Sequence, residues 1–325
     1  MKKSFLTISV VAITVLSLFV TGCKKKEQQG LNTATRLRVM GNANYFPIVV
    51  ADKKGFFKEE FGDSVTLEFN HHMNGGAAAM EAMTAGEIDF AALGDMPVIQ
   101  SKGNGLDVVV LSSLFTSKDG YHLVAAKDSG IHSIEDLKGR KVAVMTASTM
   151  HKLLLKYLEA KNLTVDDIEL IPLKQKDHLA AFVGKNVDSA VTQIPHSTKI
   201  IESTGAYIVC NADDYDTIQT LIVGSGKYLK ENPEYGVKFL RAILKADKWV
   251  RENIDEAYKI IAEEDGDQPI STEELYWNTR TFHFDLGESE VQAVQDTIDY
   301  IYEQETLGVK LDAKTFCDAS YLNKA

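Results

Sequence analysis

Between Leu67 and Pro97 the polarity pattern changes period three times. Leu67-Glu68-Phe69 alternates as a half-buried strand does, and Asn70 to Gly76 is polar and ends in two glycines. Ala78, Met80, Ala82, Met83 and Ala85 then fit a helix packed closely on a sheet. Gly86 stands where a helix C-terminal glycine belongs, and Ile88 to Leu93 is a short buried strand leading into Gly94-Asp95-Met96-Pro97. Asn74 is a natural N-cap, and Gly75 and Gly76 let backbone approach a guest at the helix N-terminus. The whole reads as a βαβ unit with two loops at the end of the sheet where open α/β folds bind ligands.

The flanking chain repeats that alternation. Strands are predicted over Leu37 to Met40, Val65 to Phe69, Asp107 to Leu114 and Tyr121 to Ala126, with helices over Ile48 to Lys54 and Val98 to Lys102. A second cycle follows. Ser133 to Gly139 reads as a short capped helix, Lys141 to Met145 as a strand, and Thr146 to Thr149 as a polar turn before the helix Met150 to Lys161. Ile168 to Leu173, Val187 to Thr192 and Ala206 to Cys210 are strands, with His178 to Val183 a helix. Gln219 to Gly224 is a strand that returns to the first half, and helices over Glu234 to Asn253, Ile254 to Glu264, Ser271 to Phe282 and Glu288 to Glu303 complete the chain. Two such cycles joined by crossing strands predict an α/β protein with two parallel sheets and a ligand cleft between its lobes. The boundaries are 37–120 with 217–325 for the first lobe and 121–216 for the second.

Residues 1–22 differ from the rest. Lys2 and Lys3 precede an uncharged apolar run from Phe5 to Val20, closed by Val20-Thr21-Gly22-Cys23. That is a secretory signal, too short to span a membrane with confidence, and residues 23–36 form a polar tether. Its removal takes the formal charge from −11 to −13, with no basic patch interleaved with aromatics, so nucleic acid is a poor partner. The acidic surface disfavours anions at long range, and any anionic ligand must be held by local dipoles. Cys210 and Cys317 either pair in an oxidising compartment or remain buried thiols.

Each candidate residue has a plainer reading beside the functional one. Ser148 and Thr149 at a helix start either cap it or present its dipole to an anion. Asp95 either binds a ligand amine or caps the next helix. Tyr45 and Tyr121 are the aromatic residues placed in turns at the cleft, whereas Phe46, Trp277 and Phe282 read as core. Arg280 either reaches an acidic ligand or pairs with a surface acid, and His151 reads as a packing histidine. His71, His72 and Met73 invite a metal, but adjacent strand residues face opposite ways and no further ligand motif supports one. No cofactor is called for.

Pro47 with Gly55-Phe56-Phe57, Asn74-Gly75-Gly76 with Glu81 to Asp89, Gly94 to Pro97, Asp136 to Ala143, Ser148 to His151 and Gly184 to Ala190 occur in an ordered set. The set resembles the solute receptors of ABC importers, in the branch that includes sulfonate, taurine, nitrate and thiamine-precursor receptors. The Val-Thr-Gly-Cys ending likewise resembles a lipobox, which implies cleavage before Cys23 and a lipid on its thiol. The resemblance implies a periplasmic-binding-protein-like type II fold of two Rossmann-like lobes. It also implies a monomeric, extracytoplasmic, lipid-anchored protein that closes about a hinge on a small ligand for a membrane permease. By position, Asn44, Tyr45, Asn74, Gly75, Gly94, Asp95, Ser117, Ser148, Thr149 and Gln193 would face the cleft. Where many relatives carry a tryptophan before the proline, this chain has Gln193-Ile194, which leaves the ligand class open. The alternatives are a metal or metallophore receptor and a fold-related biosynthetic enzyme, although no nucleophile elbow or phosphate loop is visible.

Overall fold

The site is framed by two β-sheets, each flanked by helices, in a computed structural model that describes residues 35–63, 65–70, 75–117 and 119–325. The signal segment, Cys23, His71, His72, Met73, Asn74 and Lys118 lie outside the described residues. The chain first forms β1 (Thr35–Met40), α1 (Phe46–Lys53), α2 (Phe56–Phe61), β2 (Val65–Asn70), α3 (Gly76–Thr84), β3 (Phe90–Gly94), α4 (Asp95–Gly103) and β4 (Val108–Ser117). It continues as β5 (Tyr121–Ala125), β6 (Lys141–Val144), α5 (Thr149–Glu159), β7 (Glu169–Pro172), α6 (Gln175–Val183), β8 (Ser189–Gln193), α7 (His196–Thr204) and β9 (Tyr207–Asn211). The last part is β10 (Ile218–Ser225), α8 (Gly226–Glu231), α9 (Pro233–Glu252), α10 (Ile254–Glu264), α11 (Ile270–Asn278), β11 (Arg280–Phe282) and α12 (Glu288–Glu303).

The six-stranded sheet has the order β11-β4-β10-β3-β1-β2 and the five-stranded sheet β7-β6-β8-β5-β9. Both are mixed rather than parallel, which corrects the expectation. The two strands entering from the opposite sheet run the other way: β10 is antiparallel to β3 and β4, and β5 to β8 and β9. A strand arriving from another lobe has no crossover helix to turn it parallel. Asp89, from the glycine-ended motif, fixes the entry to β3. Its carboxylate accepts from Arg38 Nε at 3.0 Å, Arg38 Nη2 at 2.7 Å and the Arg38 backbone N–H at 2.9 Å.

Helix α9 buries Phe239, Leu240, Ile243, Ala246 and Val250 on one stripe, and Phe239 stacks on Phe57 and Phe90 with ring centroids 5.1 and 4.4 Å apart. Burying each of the larger of these side chains stabilises by about 1.5–3 kcal/mol. The second sheet is covered on one face by Leu153, Leu154, Tyr157 and Leu158 of α5, and on the other by Ala181, Phe182 and Ile200 of α6 and α7. Residues 279–282 were expected to be helical. Instead, the Thr279 hydroxyl bonds back to the Leu275 and Tyr276 carbonyls, and β11 pairs with the open edge of β4. There Phe282 stacks on Trp277 and meets Phe115. Phe46, Trp277 and Phe282 are thus packed together. Helix α7 was not anticipated at all.

One charged cluster joins the two halves. Lys152, on α5, is 1% exposed and lies 2.8 Å from Asp95 Oδ2 at the start of α4 and 2.9 Å from Asp216 Oδ2 before β10. Thr297 of α12 donates to the same Asp95 oxygen at 2.8 Å, and Lys156 pairs with Asp216 at 2.6 Å. Burial alone would lower the Lys152 pKa, but the two carboxylates outweigh it and raise it above the usual value. Removing the ammonium leaves the buried Asp95 carboxylate without a counter-charge and Asp216 with Lys156 alone. We expect Lys152→Ala to lose about 3–5 kcal/mol in urea unfolding; an unchanged midpoint would show that Asp95 and Asp216 recover solvent.

Candidate functional site

A cavity of about 350 Å³ lies between the sheets, lined by residues at or just beyond the ends of β1, β3, β6, β7 and β8. In a strand–helix alternation the residue after a strand is the residue before a helix, so the same loops bring helix starts to the cavity. Tyr45 precedes α1, Gly75 α3, Gly94 α4, Ser148 α5, Lys174 α6 and Pro195 α7, and all six line it. Only Ser148 among these six accepts a hydrogen bond from its helix's first turn, from His151 N–H at 3.4 Å; at the other five no cap-residue side chain does so. Each helix start carries about half a positive charge and N–H groups that the helix's own ladder does not use, of which Met96 N–H at α4 is taken by Asp95 Oδ1. Six such helix starts lie around one cavity.

The side chains agree with that field. Lys174, Lys176 and Lys199 line the cavity against one carboxylate, Asp265. Burial lowers the His196 pKa, and Lys199 beside it lowers it further, so its imidazole is neutral near pH 7. Tyr45, Tyr121 and Tyr276 form aromatic wall, and burial raises all three phenols, which remain protonated donors. Gln193, at the end of β8, adds an amide whose Nε2 lies 3.5 Å from Gln175 Oε1.

Behind this wall sits Arg280. Its guanidinium lies 4.6 Å from the Tyr276 ring, 4.7 Å from Phe115 and 5.7 Å from Tyr45, and donates to the Asn44 carbonyl at 2.7 Å and Asn44 Oδ1 at 3.2 Å. It therefore holds the Asn44–Tyr45 turn rather than pairing on the surface as expected. Glu273, one helical turn before Trp277, is fully buried with neither carboxylate oxygen hydrogen-bonded. Burial, with Asp265 adding and Arg280 opposing, pushes its carboxyl up to about 7.

Of the expected residues, the structure brings Asn44, Tyr45, Gly75, Gly94, Tyr121, Ser148, Thr149 and Gln193 to the cavity, and Asn74 lies outside the described residues. Two expectations need correction. Asp95 is buried away from the lining, because Lys152 and Thr297 take one oxygen and the Met96 N–H, at 2.7 Å, the other. Ser117 is turned into the fold, where it pairs with β11 and donates to the Thr279 carbonyl at 3.1 Å. Lys174, Gln175, His196 and Lys199 were missed because the start of α6 was placed three residues late and α7 was not seen. Pro195 immediately before His196 was the available signal.

The NMT1/THI5-like family profile matches residues 42–257, about two-thirds of the chain. The chain belongs to the NMT1/THI5-like family. A Bacillus subtilis (strain 168) protein named for binding aliphatic sulfonates is 26% identical, over all of this chain and 97% of its own. The periplasmic aliphatic sulphonate binding protein SsuA from Escherichia coli superposes with a TM-score of 0.75 at 23% identity, covering 87% of this chain and 97% of its own. The desulfurization enzyme DSZB shares the fold at a TM-score of 0.67 and 16% identity, over 89% and 98% of the two chains. The fold is therefore the two-lobed periplasmic-binding-protein type II fold.

The lobes of this NMT1/THI5-like protein meet across the cavity. A Cβ built on Gly94 would stand 2.1 Å from Thr149 Oγ1. We expect Gly94→Ala to cost about 1–3 kcal/mol in unfolding experiments, with Thr149→Ala in the same chain recovering most of it. Strictly additive losses would show that these two surfaces do not meet.

Proposed function

We propose that the chain is an extracytoplasmic solute receptor of an ABC importer, and that its cleft closes on a small organic anion of the sulfonate class. The observation that carries this is the set of six helix starts around one cavity, five of them with no bond to the cap residue's side chain. A tetrahedral sulfonate offers three acceptor oxygens and one charge, which suits several converging N–H groups better than one counter-ion. The acidic surface is consistent with it, because a charge held by fixed dipoles needs no basic exterior. The names of the relatives point the same way. Within the same proposal, Cys23 carries the lipid anchor, a permease receives the closed form, and the monomer hinges where the chain crosses between the lobes, near 118–121 and 216–219. The lobes are 37–120 with 217–325, and 121–216.

An enzyme reading has the DSZB fold likeness behind it, but among the described residues no cysteine lines the cleft. Neither Cys210 nor Cys317 lines the cavity, and burial pushes their thiols up to about 11 and about 12. Among the described residues no group of three His, Cys, Asp or Glu stands ready to hold a metal.

Ethanesulfonate at a hundred times its dissociation constant should stabilise the mature chain by about 2.7 kcal/mol, seen as a raised melting temperature with the ligand recovered unchanged. A shift only with amines or divalent metals, or chemical conversion of the ligand, would contradict the proposal.

A further inference from the structure

Helix α11 forms part of the cavity wall. Tyr276 lines the cavity, as do Asp265 and Gln268 in the turn that leads into the helix. Glu273 stands three residues before Tyr276, on the same side of the helix. It is fully buried, and neither of its carboxylate oxygens has a hydrogen-bond partner. A buried carboxylate without a donor is costly when ionised and much less so when it carries a proton.

The neighbouring charges decide which form it takes. Asp265, after α10, opposes ionisation, and Arg280, on β11, favours it. Tyr258 of α10 and Tyr276 are phenols that burial keeps protonated. Arg251 of α9 lies 5.9 Å from the Trp277 ring but is engaged by Asp247 and by the Phe282 carbonyl, each at 2.8 Å. The cation that acts on Glu273 is therefore Arg280, and burial outweighs it. Arg280 is already committed to the Asn44 carbonyl and Asn44 Oδ1. Those bonds hold the turn before α1, one of the helix starts at the cavity. An ionised Glu273 competes with Asn44 for the guanidinium and places negative charge behind the wall. Both effects oppose an anion in the cavity, and the protonated acid exerts neither.

Resting on the anion-receptor proposal above, we propose that Glu273 is a positioning residue that links ligand binding to a proton. Its acid form leaves Arg280 on the Asn44–Tyr45 turn, and the fraction that is ionised takes a proton from solvent onto a carboxylate oxygen as the anion enters. By reciprocity the anion is held more tightly at low pH and released as the pH rises through neutrality. The free protein carries the same signature. The carboxyl sits at about 7 in the fold against an ordinary 4.5, so folding opposes its ionised form, and stability is lost as the pH rises across that interval.

The test is titration calorimetry of the mature chain with ethanesulfonate in bis-Tris and in Tris, two sulfonate-free buffers of different ionisation enthalpy. Near neutral pH the wild type should take up a fraction of a proton on binding, and its affinity should fall about three- to tenfold between roughly pH 6 and pH 9. Glu273→Gln, which keeps the shape and cannot ionise, should take up no proton there and lose that fall. Without ligand, the urea midpoint of the wild type should drop relative to Glu273→Gln as the pH rises from 4.5 to about 7. The proton count on the wild type needs no variant, so it decides the matter even if Glu273→Gln does not fold. Binding with no proton uptake, or a pH profile retained in Glu273→Gln and therefore owed to His196 or the cavity lysines, overturns the proton link and leaves the receptor standing. Failure of both proteins to bind ethanesulfonate at any pH overturns both.

Discussion

Every α-helix begins with N–H groups that its own hydrogen-bond ladder cannot use. In most surface helices a serine, threonine or aspartate at the cap accepts one of them. Around the cleft of this protein that solution is used once, at Ser148, and elsewhere the cap position is Tyr45, Gly75, Gly94, Lys174 or Pro195. Two of these are glycines and one is a proline, which offer no side-chain acceptor. The arrangement concentrates donors and positive field where the strands end, and the topology of both sheets serves to bring those ends face to face. An acidic protein can hold an anion this way because the field is local and fixed by the backbone.

The same loops also explain how the lobes stay together. Gly94 lacks the Cβ that would strike Thr149, and one residue further Asp95 meets Lys152, one turn beyond Thr149 on α5. Lys152 reaches in the other direction to Asp216, at the chain's return to the first sheet. A buried charge triad is a costly way to gain stability, since desolvation consumes much of the attraction. Its value is geometric, because it pairs groups only when the loop before α4 and the start of α5 are in register. The apolar clusters show the same interlocking: Ile194, after β8, packs into the first lobe's core, and Ile218, at the start of β10, into the second's.

Much of this was legible in the sequence, for local reasons. The alternation of short apolar runs with helical periods gave nearly every strand, and glycine turns after strands marked Gly75 and Gly94 as cleft residues. Strand direction was not legible, because a crossing strand such as β5 or β10 has the same apolar pattern either way. Asp95 was ambiguous because its partners, Lys152 and Thr297, are 57 and 202 residues away. Residues 279–282 were misread because the open edge of β4 outweighs the helical pattern there. Arg280 was misjudged for a related reason, since its aromatic surroundings, Tyr45, Phe115 and Tyr276, come from three separate segments.

The most direct measurement is a crystal structure of the mature protein with butanesulfonate bound. The sulfonate oxygens should lie about 3 Å from first-turn backbone N–H groups of the helices that begin after Gly75 and Ser148. A sulfonate held at the cavity rim by the Lys174, Lys176 or Lys199 side chains, with those N–H groups bonded only to water, would contradict the account.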